Sequence, residues 1–255
     1  MTLLFWCSHV CAEDSKPPSG NFDLSHWKLT LPVSASDTSS GKSMEILPAL
    51  LNADYANSEY FYCGTDGAMV FWCPVTGART EHTDYPRCEL RELIVPTDDN
   101  VCWSAKGSHT LDVRCRVMEV PSSQKVIIGQ IHSYSGKAKP LIKLQFFKGR
   151  IEALVKERPT KGKDFKLTFP EVGLGNAFDY QIMLENGMLS VTINGSSQSV
   201  NIFETDPEWA DQTLYFKAGC YVQDNEGPTT EGGRVSITKL EVRHSDDLSS
   251  AASVQ

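Results

Sequence analysis

Short runs of β-branched and aromatic residues, each cut off by a Gly, Pro, Asn, Asp or Ser cluster, fill this chain from Trp27 to Arg243. Such runs make strands, because branched and aromatic side chains pack well on a pleated surface. The strand candidates are residues 27–31 (closed by Pro32), 69–72, 88–95, 110–120, 125–134, 141–147, 151–156, 180–184, 189–193, 213–222 and 235–243. Residues 34–42 are rich in Ser, Thr, Asp and Gly and read as a loop. Asn186-Gly187 and Asn194-Gly195 each suit a two-residue hairpin turn with positive φ at both positions. Only residues 206–211 and 46–53 hint at short helix. Many strands with few crossover helices must pair antiparallel. The expected fold is an all-β antiparallel sandwich of the jelly-roll kind, with an open cleft on its concave sheet.

A chain of 255 residues is long enough for one such domain, expected over residues 13–244 with a flexible tail at 245–255. Lys and Arg total 24 against 32 Asp and Glu, a net charge of 24 − 32 = −8. That balance argues against nucleic acid as a partner. It leaves room for an anionic substrate in a locally positive cleft. No apolar run approaches the ~20 residues that span a bilayer, so no membrane association is expected. Residues 1–12 carry Leu3-Leu4-Phe5-Trp6 and then Val10-Cys11-Ala12, which reads as a short signal segment of a secreted protein. Its removal would leave Cys63, Cys73, Cys88, Cys102, Cys115 and Cys220, an even number that admits disulfides in 15 pairings. Cys63 and Cys73 flank the Gly64-Thr65-Asp66-Gly67 turn and are the favoured local bridge. Zinc is disfavoured, since no C-x-x-C pair occurs and no His follows at ligand spacing. Asn194-Gly195-Ser196 is a glycosylation sequon on an expected surface turn.

Three strands carry an unusual polar pattern. Side chains alternate across a strand. In Arg87-Cys88-Glu89-Leu90-Arg91, the Arg and Glu side chains share one face. In Gln130-Ile131-His132, Gln130 and His132 oppose Ile131. In the segment from Tyr215 to Gln223, Tyr215, Lys217, Tyr221 and Gln223 oppose Phe216, Ala218, Cys220 and Val222. An antiparallel sheet ordinarily has one solvated face, so alternation alone signals little. The choice of groups signals more. Imidazole and phenol beside paired guanidiniums can move a proton next to an anion.

These segments resemble the three signature motifs of the alginate lyases of polysaccharide lyase family 7, R-x-E-L-R, Q-(I or V)-H and Y-F-K-A-G-x-Y-x-Q. Phe22-Asp23-Leu24-Ser25 and Trp27-Lys28-Leu29-Thr30-Leu31-Pro32 resemble the family's opening strand. The likeness spans residues 22–243. Cys88 and Val222 depart from the usual residues at two variable positions, both on the apolar parity. The resemblance implies cleavage of 1,4-linked uronates by β-elimination. The C5 proton leaves, the 4-oxygen is expelled, and the developing dianion needs preorganised positive charge. Arg87 and Gln130 would neutralise the carboxylate. Tyr221 would be the general acid, and also the base when proton and leaving group share a face, as in mannuronate. His132 would be the base when they lie on opposite faces, as in guluronate. Arg91, Glu89, Lys217, Gln223 and Tyr215 would form the substrate-binding set in neighbouring subsites, with Glu89 there as the ion partner fixing the guanidiniums. No metal and no cofactor is implied. The expected partner is the anionic polysaccharide alginate, met by a monomer. In the family, Ile at the middle of the second motif, here Ile131, accompanies activity on guluronate-containing substrate. Endo action is expected. The loops 133–140 and 224–233 read as mobile lids. A lectin-like binding sandwich is the main rival. A glycoside hydrolase would need two carboxylates ~5–9.5 Å apart, and Glu89 is the only acid on these faces.

Overall fold

A computed structural model describes residues 16–35, 42–81, 83–134 and 138–245. The expected signal segment and tail lie outside these residues, except for Ser245, and so does part of the 133–140 loop. Sixteen strands lie among the described residues. In chain order they are β1 Trp27–Ser34, β2 Ser43–Ile46, β3 Phe61–Cys63, β4 Met69–Pro74, β5 Arg87–Glu92, β6 Trp103–Ser104, β7 Ser108–Glu119, β8 Lys125–Ser133, β9 Ile142–Phe147, β10 Arg150–Lys156, β11 Asp164–Glu171, β12 Phe178–Glu185, β13 Met188–Ile193, β14 Ser196–Asn201, β15 Thr213–Val222 and β16 Gly232–Ser245. Among the described residues helix is limited to α1 Pro48–Leu51, α2 Ile202–Thr205 and two 3₁₀ turns, Pro18–Gly20 and Pro207–Asp211. The strands form two antiparallel sheets. One runs β11-β10-β9-β8-β15-β5-β1-β2 with β6 beside β15; the other runs β14-β13-β12-β7-β16-β4-β3. The core lies between them, with Leu90, Ile131, Phe216, Tyr180 and Trp209 all at 2% exposure or less. Burying this apolar area is the main force holding the sheets face to face.

Local chemistry sets the turns. Asn186 and Gly187 have φ of 46° and 86°, and Asn194 and Gly195 have 46° and 83°, as the two Asn-Gly hairpins require. Lys148-Gly149 makes a third such turn. Pro32 does not end β1. The ladder to β5 stops at Thr30, so the missing N–H of Pro32 has no bond to lose, and its carbonyl accepts from Ala78. The strands missing from the sequence reading (β2, β3, β6, β11, β14) are short or lie at the sheet margins.

Polar ties join the sheets, two of them at buried side chains. Ile128 bulges out of β8, where Ile127 and Gly129 face consecutive residues of β9, and its carbonyl accepts from the Tyr180 hydroxyl at 2.9 Å. Buried Glu92 accepts from Trp103 Nε1 and Phe216 N, both at 2.9 Å, and pairs with His244 of the other sheet at 2.6 Å.

The six described cysteines are free. The expected Cys63–Cys73 bridge does not form, because the β3–β4 register sets Cys63 opposite Met69. Cys73 lies four residues further along, about 13 Å at strand rise. A disulfide needs Cα atoms within roughly 7 Å.

Candidate active site

Strands β8, β15 and β5 are neighbours, with β15 in the middle. The three motif segments therefore lie side by side. Their polar parities face away from the other sheet, while Cys88, Leu90, Ile131, Phe216, Cys220 and Val222 are buried in the core. Cys88 and Val222, the two departures from the family pattern, serve packing.

The register fixes which side chains meet. Lys28 of β1 faces Arg91, Arg91 faces Lys217, Lys217 faces Gln130, and Gln130 faces Lys143 of β9. A row of four cations and one amide thus crosses five strands. Beside it, Glu89 faces Gly219 and Arg87 faces Tyr221. Gly219 has φ of 141°, and a Cβ there would stand 2.8 Å from the Cys88 carbonyl. Only glycine lets β15 approach β5 so closely at this point.

Glu89 is the hub. It is fully buried and accepts from Lys217 Nζ at 2.5 Å, Gln130 Nε2 at 2.5 Å and Arg87 Nη1 at 3.3 Å. Burial pushes its carboxyl pKa up, but Lys217 and Arg87 outweigh burial and hold it below the usual value. Of the two guanidiniums it was expected to fix, Glu89 holds only Arg87; its second cation is Lys217, because Arg91 turns to Asp99. The side chain has no exposed surface with which to meet a sugar. Two cations share this one carboxylate, so the cluster keeps one positive charge in surplus.

The groups able to move protons stand at the two ends of the cluster. His132 stacks on Tyr215, ring centres 5.3 Å apart, and its Nδ1 lies 2.7 Å from the Ser133 carbonyl. A carbonyl only accepts, so Nδ1 carries the proton and Nε2 holds the lone pair. Burial, with Lys217 and Arg87 adding to it, lowers the His132 pKa to about 4. The ring is neutral near pH 7 and can accept a proton. At the other end the Arg87 guanidinium lies 3.8 Å over the Tyr221 ring. Burial raises the Tyr221 pKa, so the phenol keeps its proton. Lys217 falls to about 8, through burial first and Arg87 beside it. Burial also raises Tyr215.

The remaining expected residues divide. Lys217 and Tyr215 belong to the cluster. Gln223 follows the end of β15 and donates to the Val222 carbonyl at 2.9 Å. Arg91 is engaged elsewhere: Nη1 and Nη2 donate to the Asp99 carboxylate and carbonyl, each at 2.8 Å. The rings of Tyr215 and Tyr134 flank it at 4.1 and 5.1 Å. Lys143, Asp99 and Tyr134 lie in none of the quoted motifs, and Lys28 lies only in the opening strand; pairing and loop packing bring all four here. The 224–233 loop, expected as a mobile lid, is stitched down: Asp224 accepts from Ser123 N at 2.9 Å, Glu231 from Ser122 N at 2.6 Å, and Asn225 donates to the Asp84 carbonyl at 3.1 Å.

An alginate lyase family model matches residues 22–244. An alginate lyase of Klebsiella pneumoniae is 29% identical over 89% of this chain and 91% of its own length. Alginate lyase A1-II', a member of polysaccharide lyase family 7, superposes with a TM-score of 0.84 at 39% identity, covering 90% of this chain and 99% of its own. An alginate lyase of Pseudomonas aeruginosa gives 0.79 at 39% identity, covering 88% and 100%. A variant of A1-II' has been crystallised with the substrate GGMG. The fold, the cationic cluster between an imidazole and a phenol, and these matches across nearly the whole described chain converge: this polysaccharide lyase belongs to the alginate lyases of polysaccharide lyase family 7.

Proposed function

We propose that the chain cuts alginate internally, acts on guluronate-containing blocks, and does so through Arg87, Gln130, His132 and Tyr221. The supporting observation is a buried cluster with one surplus positive charge, a bare imidazole nitrogen at one end and a protonated phenol at the other. In that reading the uronate carboxylate sits against Arg87 and Gln130, where the positive field stabilises the dianion that forms as C5 loses its proton. His132 Nε2 takes that proton from one face, and the Tyr221 hydroxyl gives one to the departing 4-oxygen. Mannuronate, whose proton and leaving group share a face, uses Tyr221 for both tasks. The C5–H and C4–O bonds break and a C4–C5 double bond forms, with no water consumed. Internal cutting is supported by the place of the site on β5, β15 and β8 in the middle of their sheet, with further strands on both sides of it. Guluronate activity is supported by the resemblance alone, through Ile131 at the middle of the second motif.

The test is incubation with alginate while following ultraviolet absorbance of the unsaturated product. Elimination creates a conjugated double bond; hydrolysis or lectin-like binding does not. Tyr221→Phe should abolish the signal and retain binding, and wild-type turnover in that variant overturns the role of Tyr221. Polyguluronate should be cut, with early loss of viscosity. Activity confined to polymannuronate rejects the substrate assignment, and release of single sugars from the outset rejects internal cutting.

A further inference from the structure

Lys28 and Arg91 end the cation row, and a carboxylate covers both. Asp99 Oδ2 accepts from Lys28 Nζ at 2.5 Å and from Arg91 Nη1 at 2.8 Å. The cations are buried, at 5% and 10% side-chain exposure, whereas the Asp99 side chain is 39% exposed. Asp99 lies on the loop joining β5 to β6. Bonds that do not involve its carboxylate fix the loop: Arg91 Nη2 to the Asp99 carbonyl, Asn100 N to Asp98 Oδ1 at 2.9 Å, and the Tyr134 hydroxyl to Asn100 Oδ1 at 2.7 Å.

Charge separates this end of the row from the catalytic cluster. There, Arg87 and Lys217 face Glu89 alone. Here, Lys28 and Arg91 face two acids, Asp99 and Glu45, the latter 3.0 Å from Lys28 Nζ. The surplus is zero. An ammonium and a guanidinium converging on one carboxylate oxygen make the contact that a bound uronate would receive.

We infer that Lys28 and Arg91 form a uronate subsite at the end of the cleft, and that Asp99 holds it closed with the chain's own carboxylate. Asp99 is then a specificity-determining residue: it sets how many sugars the cleft engages on that side. The inference rests on the reading of this cleft as a polyuronate site. A uronate reaching Lys28 and Arg91 meets no surplus charge and must displace Asp99. The neutral amide of Asp99→Asn gives the subsite one free positive charge and leaves the carbonyl anchor in place.

The experiment uses the full chain carrying Asp99→Asn, with Asp99→Ser as a second uncharged variant. KM and kcat are measured on alginate and on uronate oligomers of increasing length, at low and high salt, alongside thermal melts. KM for polymer should fall about two- to fivefold, the worth of roughly one partly screened charge, and the fall should shrink at high salt. Turnover should stay within about twofold, and the oligomer length at which kcat/KM levels off should grow by one sugar. Adding Lys28→Met to Asp99→Asn restores neutrality and should return KM to the wild-type value. An unchanged or raised KM with an unchanged length dependence overturns the inference, as does an effect seen in the asparagine variant alone. If the wild type is active and Asp99→Asn behaves like it, the subsite fails by itself. If the wild type forms no unsaturated product, the functional reading fails with it.

Discussion

Replacing Glu89 with Gln tests the physical basis of the site. The side chain is fully buried, and it compensates Lys217 at 2.5 Å and Arg87 at 3.3 Å. Both cations are themselves nearly buried, with side-chain exposures of 8% and 6%. Gln keeps the shape and one acceptor but removes the charge, so the cluster goes from one surplus positive charge to two. Breaking a buried ion pair by deleting one partner costs about 3–5 kcal/mol, because the remaining charge is left without compensation. For a domain of this size each kcal/mol lowers Tm by roughly 2–4 °C, so the melt should fall by roughly 6–20 °C. Calorimetry and urea unfolding monitored by circular dichroism supply the measurement. Pairing Glu89→Gln with Lys217→Met returns the cluster to a single surplus charge and should recover part of the loss, a coupling that a double-mutant cycle isolates. With Glu89 neutral, Lys217 should also release its proton at lower pH than in the wild type. A melt within about 2 °C of wild type would refute the reasoning, since it would mean that water already screens these charges.

Three further outcomes follow from the burial of ionisable side chains. The His132 pKa is depressed to about 4 in the folded chain against an unfolded value near 6.5, so the unfolded chain binds more protons between those values and stability should decline as pH falls from about 6.5 to 4. His132→Asn should flatten that slope in pH-dependent melts, whereas kcat/KM on polyguluronate in the wild type should fall on the acid side as His132 protonates and on the alkaline side as Lys217 discharges near pH 8. Cys73, Cys88, Cys115 and Cys220 are buried, with thiol pKa values raised by burial, so a thiol reagent should label them only after unfolding, while Cys63 and Cys102 are partly exposed and should label sooner. Labelling of all six at one rate in the native protein would contradict this packing.

The sequence by itself determined what depends on near neighbours. Alternation with period two assigned the faces of β5, β8 and β15, so Arg87, Gln130 and Tyr221 were legible as one polar set and Cys88, Ile131 and Val222 as its dry backing. Asn-Gly pairs fixed two hairpins because both residues accept positive φ. Only the tertiary structure decided register and neighbourhood, which join residues far apart in the chain. It aligned Lys28, Arg91, Lys217, Gln130 and Lys143 in one row, brought Asp99 onto two of those cations, and kept Cys63 away from Cys73. Strands such as β14 and β11 leave no mark in the sequence because their residues are largely polar or exposed, and a strand at a sheet margin is held by its partner's ladder rather than by its own pattern. A strand's faces are written in its own side chains, whereas a pairing register is chosen by the whole buried interface, where a slip of one residue would turn every apolar side chain toward water.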